Sequence, residues 1–144
     1  MLNNITIKID ELHTKSEKLL RGHGYTSNGY WIIKSEYETT HLKKRITTHE
    51  LTKDMVDRLI NHIEYAHPTP LTITDLKQNE FRGLNCTLTG TDGVERIVNA
   101  HFLKFLLQPG EVSLYGNSGG KFEPIIFKKD EEIIGILMPI NTGR

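Results

Sequence analysis

Seven histidines, a single cysteine and one glycine-rich loop are the parts of this sequence whose residue types could do chemistry. A metal centre needs three or four donors converging on one point. His62 and His67 are five residues apart, about 140° around a helix, so they do not share a face. His41 and His49 stand in polar sequence with no cysteine or carboxylate at ligand spacing. Cys86 sits between Asn85 and Thr87 in an alternating run with no catalytic signature, which predicts a small core residue and not a nucleophile. Being alone, it also excludes an intramolecular disulfide and a thiolate zinc site. The loop GNSGGK, Gly116 to Lys121, has glycines and a lysine but lacks the spacing and the following Ser/Thr of a phosphate-binding loop. It joins two strand-like runs instead of opening a helix, so a tight strand connection accounts for it. No pair of carboxylates stands in an apolar setting. The reading is a non-enzymatic chain with no catalytic residues, no metal and no cofactor.

The remaining candidates are cations. HLKKRITTHE carries Lys43, Lys44 and Arg45, either as a solvated loop or as a loop that contacts phosphates. With Lys53 and Lys104 these are the residues that would touch double-stranded DNA. Lys plus Arg equals Asp plus Glu at 18 each, so the chain as a whole has no electrostatic attraction to a polyanion. The first 49 residues carry eight Lys/Arg against five Asp/Glu, and the rest ten against thirteen, which leaves the N-terminal part only mildly basic. DNA binding is expected to be weak.

The elements that hold these residues follow from periodicity. The 144 residues predict one domain, with 1–67 helix-rich and 68–144 strand-rich around one short helix. Ile9, Leu12, Ser16, Leu19 and Leu20 share a helical face that Gly22 would end. The run from Tyr30 to Tyr37 reads as a strand after the Ser27-Asn28-Gly29 turn. Met55, Val56, Leu59, Ile60 and Ile63 make a stripe on a helix over Thr52 to Ala66, with Asp54 and Arg58 as an i, i+4 pair. LTITDL and LNCTLTGTDGVERIVN alternate, and Asp92-Gly93 predicts a two-residue hairpin turn. Phe102, Leu103, Phe105, Leu106 and Leu107 form a helix of two to three turns capped by Asn99 and ended by Pro109-Gly110. EVSLYG, PIIFKK and EIIGILMPI complete the strands. In the last of these, apolar residues fall on both faces, which predicts cover on both sides or a second subunit. No apolar run reaches the roughly 18 residues that span a bilayer, and MLNNITIKID lacks the pattern of a secretory signal, so the expected location is the cytoplasm and no membrane partner is expected.

The order VNAHFLKFLL, EVSLYG, PIIFKKDEEIIGILMPI resembles the last part of the bacterial DNA polymerase sliding clamp, the β clamp. That family ends with a short helix carrying a pattern like N-x-x-Y/F-L, a strand rich in Val and Leu, a strand beginning with Pro after a Gly-containing turn, and an apolar strand closing on Met-Pro. The resemblance covers Val98 to Ile140, about a third of the chain, and TGTDGVER adds a weaker similarity. It implies an α+β, DNA-clamp-like single domain with short amphipathic helices packed on an antiparallel sheet. It further implies that Met138, Pro139 and Ile140 line an apolar cleft in which protein partners of the replication or DNA-processing machinery dock a short linear peptide.

Departures accompany the resemblance. A bacterial clamp protomer has three such domains and closes a ring as a dimer, whereas this chain has material for one. A ring would need six copies, a homo-oligomer. Asn141 stands where the family usually has Arg, the neighbouring domain that completes the cleft has no counterpart, and the long helix mixes Lys53 and Arg58 with Asp54, Asp57 and Glu64. The leading expectation is a non-enzymatic clamp-like module acting in DNA replication through protein contacts. The alternative is a small phage or mobile-element inhibitor or adaptor that binds a host nuclease or replication protein.

Overall fold

Short runs of β-branched and aromatic residues, each broken by a turn residue, assemble into one mixed sheet. The structure is a computed structural model that describes residues 18–61, 68–79 and 83–140. Its strands are β1 (Leu20–Gly22), β2 (Tyr25–Ser27), β3 (Trp31–Lys34), β4 (His49–Glu50), β5 (Pro68–Asn79), β6 (Gly83–Gly90), β7 (Glu95–Asn99), β8 (Ser113–Asn117), β9 (Ile125–Lys129) and β10 (Glu132–Leu137). The helices are α1 (Thr40–Lys43), α2 (Lys53–Val56) and α3 (Ala100–Leu106). The ten strands lie in the order β4-β1-β2-β3-β10-β9-β8-β5-β6-β7. All pairs are antiparallel except β1 with β4, so the sheet of this α+β fold is mixed where an antiparallel one was expected.

β5 joins the two halves of the sheet. Pro68 to Pro70 pair with Asn117 to Tyr115 of β8, and the rest of the strand pairs with β6. β10 lies between β3 and β9, in the interior of the sheet, and is covered on both faces. On one side Ile134 and Leu137 pack with Trp31, Leu103, Phe105, Leu106 and Phe127, and the Trp31 and Phe105 rings are 4.8 Å apart. On the other, Ile136 packs with Leu20, Ile32, Leu51, Val56 and Ile60. The expected two-sided cover is met within the chain. A bulge between Ile133 and Gly135 shifts the register there, and a Cβ at Gly135 would stand 2.7 Å from the Ile32 carbonyl oxygen, so only glycine fits.

Several elements differ from the periodic reading. Of the helix expected over residues 9–22, residues 1–17 lie outside the described residues, while Leu20–Gly22 is the strand β1. Gly22 is needed because its backbone passes against Leu51, not because a helix stops there. The strand expected to Tyr37 ends at Lys34 and tightens into a 3₁₀ turn over Ser35–Tyr37. The 18–61 segment is less helical than expected and supplies four strands. The Thr52 side chain caps α2 by accepting from the Met55 N–H at 3.2 Å, but the helix widens into a π turn over Asp57–Asn61. That changed pitch leaves Leu59 41% exposed while Val56 and Ile60 stay buried. Ile63, His62 and His67 lie outside the described residues. The Asp54–Arg58 pair forms at 3.2 Å on an exposed face. The β6–β7 connection has four residues, Thr91 to Val94, where a two-residue turn was expected; Gly93 N–H donates to Gly90 C=O, with Gly93 at φ 78°.

Candidate functional site

Three segments distant in sequence meet where β10 ends. The first is the turn between β2 and β3. Asn28 Oδ1 accepts from the Tyr30 and Trp31 N–H groups at 2.9 and 3.0 Å, and Ser27 Oγ donates to the Trp31 carbonyl at 2.6 Å. With Gly29 at φ 96° completing the turn, the chain points Trp31 into the core and leaves Tyr30 64% exposed. The second is α3, whose cap Asn99 accepts from the Phe102 N–H at 3.0 Å. Phe102 is half-buried on this helix, packed against the core, and stacks on Tyr30 at 6.4 Å between ring centroids, while Leu103, Phe105 and Leu106 are buried. The third is the segment after β10. Met138 N–H donates to the Tyr30 carbonyl at 2.9 Å, Pro139 offers no donor, and Ile140 N–H donates to the Ile97 carbonyl of β7 at 2.7 Å. Leu137 is fully buried and Met138 next to it is 39% exposed. Tyr30 is thus in contact with Phe102 of α3 and paired with Met138 at the end of β10, and Pro139 and Ile140, also uncharged, lead the chain on to β7.

The glycine-rich loop is held by a residue that sequence reading passed over. Arg96 is completely buried. Its guanidinium donates to Asp92 Oδ2 at 3.0 Å, to the carbonyls of Val94 at 3.0 Å and Asn117 at 2.8 Å, and through Nε to Gly120 at 3.2 Å. Gly119 N–H donates to the same Asp92 oxygen at 2.7 Å. Arg96 first, and then Gly119, hold the Asp92 carboxyl well below the usual carboxylate range. A Cβ at Gly116 would stand 2.8 Å from Arg96 Nε, which explains a glycine inside β8. Every polar end of this group is spent on the hairpin turn and the β8–β9 loop, so the cluster ties two halves of the sheet together and has no donor left for a ligand. The signal for it was present in the alternation of β7, where Arg96 shares the buried parity of Val98.

The candidate cations fall on separate elements. Lys43 ends α1 and Lys44 follows it, both exposed, and Arg45 is half-buried. Arg21 ties this segment down by donating to the Leu42 carbonyl at 2.6 Å, the Arg45 carbonyl at 2.7 Å and Thr47 Oγ1 at 2.9 Å while pairing with Glu38 at 2.9 Å. Lys53 is exposed at the start of α2, and Lys104 is half-buried on α3. Between residues 43 and 58 five cations face three carboxylates, so the cationic excess is slight. Among the described residues no three His, Cys, Asp or Glu side chains come together at metal-holding distance. Cys86 is buried, and burial, reinforced by Asp75, pushes its thiol up to about 11, so the nucleophilic thiolate is scarce at neutral pH. No helix among the described residues is long and apolar enough to cross a membrane. Comparison with protein-family models, curated proteins and solved structures finds no match to this chain.

Proposed function

We propose that the chain is a non-enzymatic, clamp-like module that serves DNA replication or DNA processing by docking protein partners at Met138, Pro139 and Ile140. The observation that carries this reading is the change at the end of β10, where a fully buried Leu137 gives way to a Met138 that is 39% exposed, beside the exposed Tyr30. Met is a flexible, polarizable side chain suited to apolar ligands of more than one shape. The element order β7-α3-β8-β9-β10 also supports the reading, because a strand and short helix followed by three strands is the order in which the resemblance to the clamp family runs. The interior position of β10 differs from that family, in which the corresponding strand closes the sheet of the last domain.

The test is binding of a fluorescent peptide that a bacterial sliding clamp binds, with that clamp as positive control. The expected result is saturable binding that Met138→Ala weakens about tenfold with the fold intact. An intact chain that ignores the peptide while the control binds it overturns the proposal. Light scattering on the eluting protein sets the form in which it acts: a ring of six copies would weigh about 99 kDa against 16.5 kDa for one chain. A monomer that binds the peptide would fit the adaptor or inhibitor form of the same docking activity, since one domain cannot encircle DNA.

A further inference from the structure

We propose that Tyr30 is a ligand-contacting, specificity-determining residue of this docking surface, and that it gives a single chain a complete site for a short, neutral, extended peptide. The inference rests on the docking reading of Met138 to Ile140. In that reading one wall of the site was missing from the sequence, because a neighbouring domain was expected to supply it. The fold supplies a wall from its own N-terminal half. Met138 N–H bonds to the Tyr30 carbonyl, continuing the register in which Leu137 lies opposite Trp31, so Tyr30 and Met138 are cross-strand neighbours. Tyr30 is among the most exposed large apolar side chains described, at 64%, yet its backbone is held because its own N–H and that of Trp31 both donate to Oδ1 of the buried Asn28, and its ring rests on Phe102. An aromatic side chain held rigid and left uncovered loses little entropy on binding and offers a large contact face.

The occupant follows from size and charge. Of Tyr30, Phe102, Met138, Pro139 and Ile140, the residues of the proposed patch, only Tyr30 and Met138 are more than about a third exposed, far short of the roughly 800 Å² per partner that a stable interface between folded subunits buries. A second copy of the chain is therefore too large a partner for this patch alone, and a short peptide with one or two anchors fits it. None of the five carries a formal charge, which favours uncharged anchors. In an extended peptide, side chains two residues apart lie on one face about 6.6 Å from each other, so two such anchors can reach the exposed Tyr30 ring and the Met138 side chain that is its cross-strand neighbour. The test peptide therefore carries one aliphatic and one aromatic anchor at i and i+2.

The probe is the end-capped peptide acetyl-Ser-Leu-Gly-Phe-Ser-amide, titrated at millimolar concentration into the full chain and followed by amide chemical shifts. Perturbations centred on Tyr30, Phe102 and Met138 are expected. Tyr30→Ala should weaken binding about tenfold, Tyr30→Phe should stay within about twofold, and neither should shift melting appreciably, because the ring is mostly outside the core. Asn28→Ala should weaken binding and increase the peptide's preference for aliphatic over aromatic anchors, a readout that a purely structural role would leave unchanged. If Met138→Ala weakens binding while Tyr30→Ala does not, the role of Tyr30 is overturned and the docking reading stands. If the intact chain shows no perturbation with this probe and none with the clamp-binding peptide, both are overturned.

Discussion

Neighbouring alanine substitutions at the end of β10 should have opposite signatures. Leu137 is fully buried among Trp31, Leu103, Phe105, Leu106 and Ile134, and replacing a Leu in such a site removes its transfer free energy and leaves a cavity, about 2–5 kcal/mol in all. Met138 is 39% exposed. Fully burying a Met contributes about 1.5–3 kcal/mol, so truncating a side chain already that exposed should cost about 1 kcal/mol. At roughly 3 °C per kcal/mol for a domain of this size, Leu137→Ala should melt about 6–15 °C below the parent chain and Met138→Ala about 3 °C below it. Differential scanning calorimetry reads both, and peptide titration of each folded variant reads function. The expected outcome is a large stability loss with nearly parental affinity for Leu137→Ala, and a small stability loss with weak affinity for Met138→Ala. Equal melting losses, with Met138→Ala still binding as the parent does, would refute the proposed division between the buried end of β10 and a docking residue directly after it.

Three further outcomes follow from geometry. Asp130 and Glu131 make the β9–β10 turn at φ 52° and 64°, a left-handed conformation that costs non-glycine residues roughly 1 kcal/mol each, so Asp130→Asn with Glu131→Gly should raise the denaturant midpoint, and an unchanged midpoint would contradict the assigned turn. Because Arg96 depresses the folded-state pKa of Asp92, that carboxylate contributes stability above its ordinary titration range and loses it as pH falls below 3.8 toward the folded value; Asp92→Asn should flatten the acid limb of stability against pH, and a limb of parental steepness would disprove the role given to this pair. Any DNA binding should be weak and non-specific, and replacing Lys43, Lys44 and Arg45 together by Ala should reduce the slope of log affinity against log salt by about 2.7, taking about 0.9 per phosphate contact; an unchanged slope in filter binding would remove the loop from the interface.

How much was legible differs by element, for physical reasons. The segment from β6 to β10 was readable because its signals are local: period-two alternation, the Asn99 cap, the Pro109-Gly110 stop, and an apolar run too rich for one-sided burial. The N-terminal part was not, since its helical spacing competes with pairing partners far away in sequence. Leu20 and Arg21 are fixed by β2 on one side and by His49 and Glu50 on the other, contacts that periodicity cannot reveal. Leu59 was misread because a π turn breaks the stripe that an ideal helix would keep. Of the proposed docking patch, Met138, Pro139 and Ile140 were suggested by a resemblance, whereas Tyr30 and Phe102 required the tertiary fold. Arg96 was overlooked because charge suggested solvent while strand parity pointed inward.

The separation of the patch in sequence has a thermodynamic consequence. Tyr30 comes from the β2–β3 turn, Phe102 from α3 and Met138 from the end of β10, so the surface exists only when all three have assembled on the sheet. An unfolded chain offers the same side chains but not their arrangement, and a peptide that uses all three binds the native state alone. Such a ligand must stabilise the fold by mass action, by about 2.7 kcal/mol at one hundred times its dissociation constant, which corresponds to a rise of roughly 5–10 °C in melting temperature for a domain of this size. Tyr30→Ala should remove most of that rise at the same peptide concentration while leaving the melting temperature of the free protein close to parental. A peptide that saturates the chain by anisotropy yet leaves its melting temperature where it was would be binding unfolded and native chains alike, and the assembled patch could not be its site.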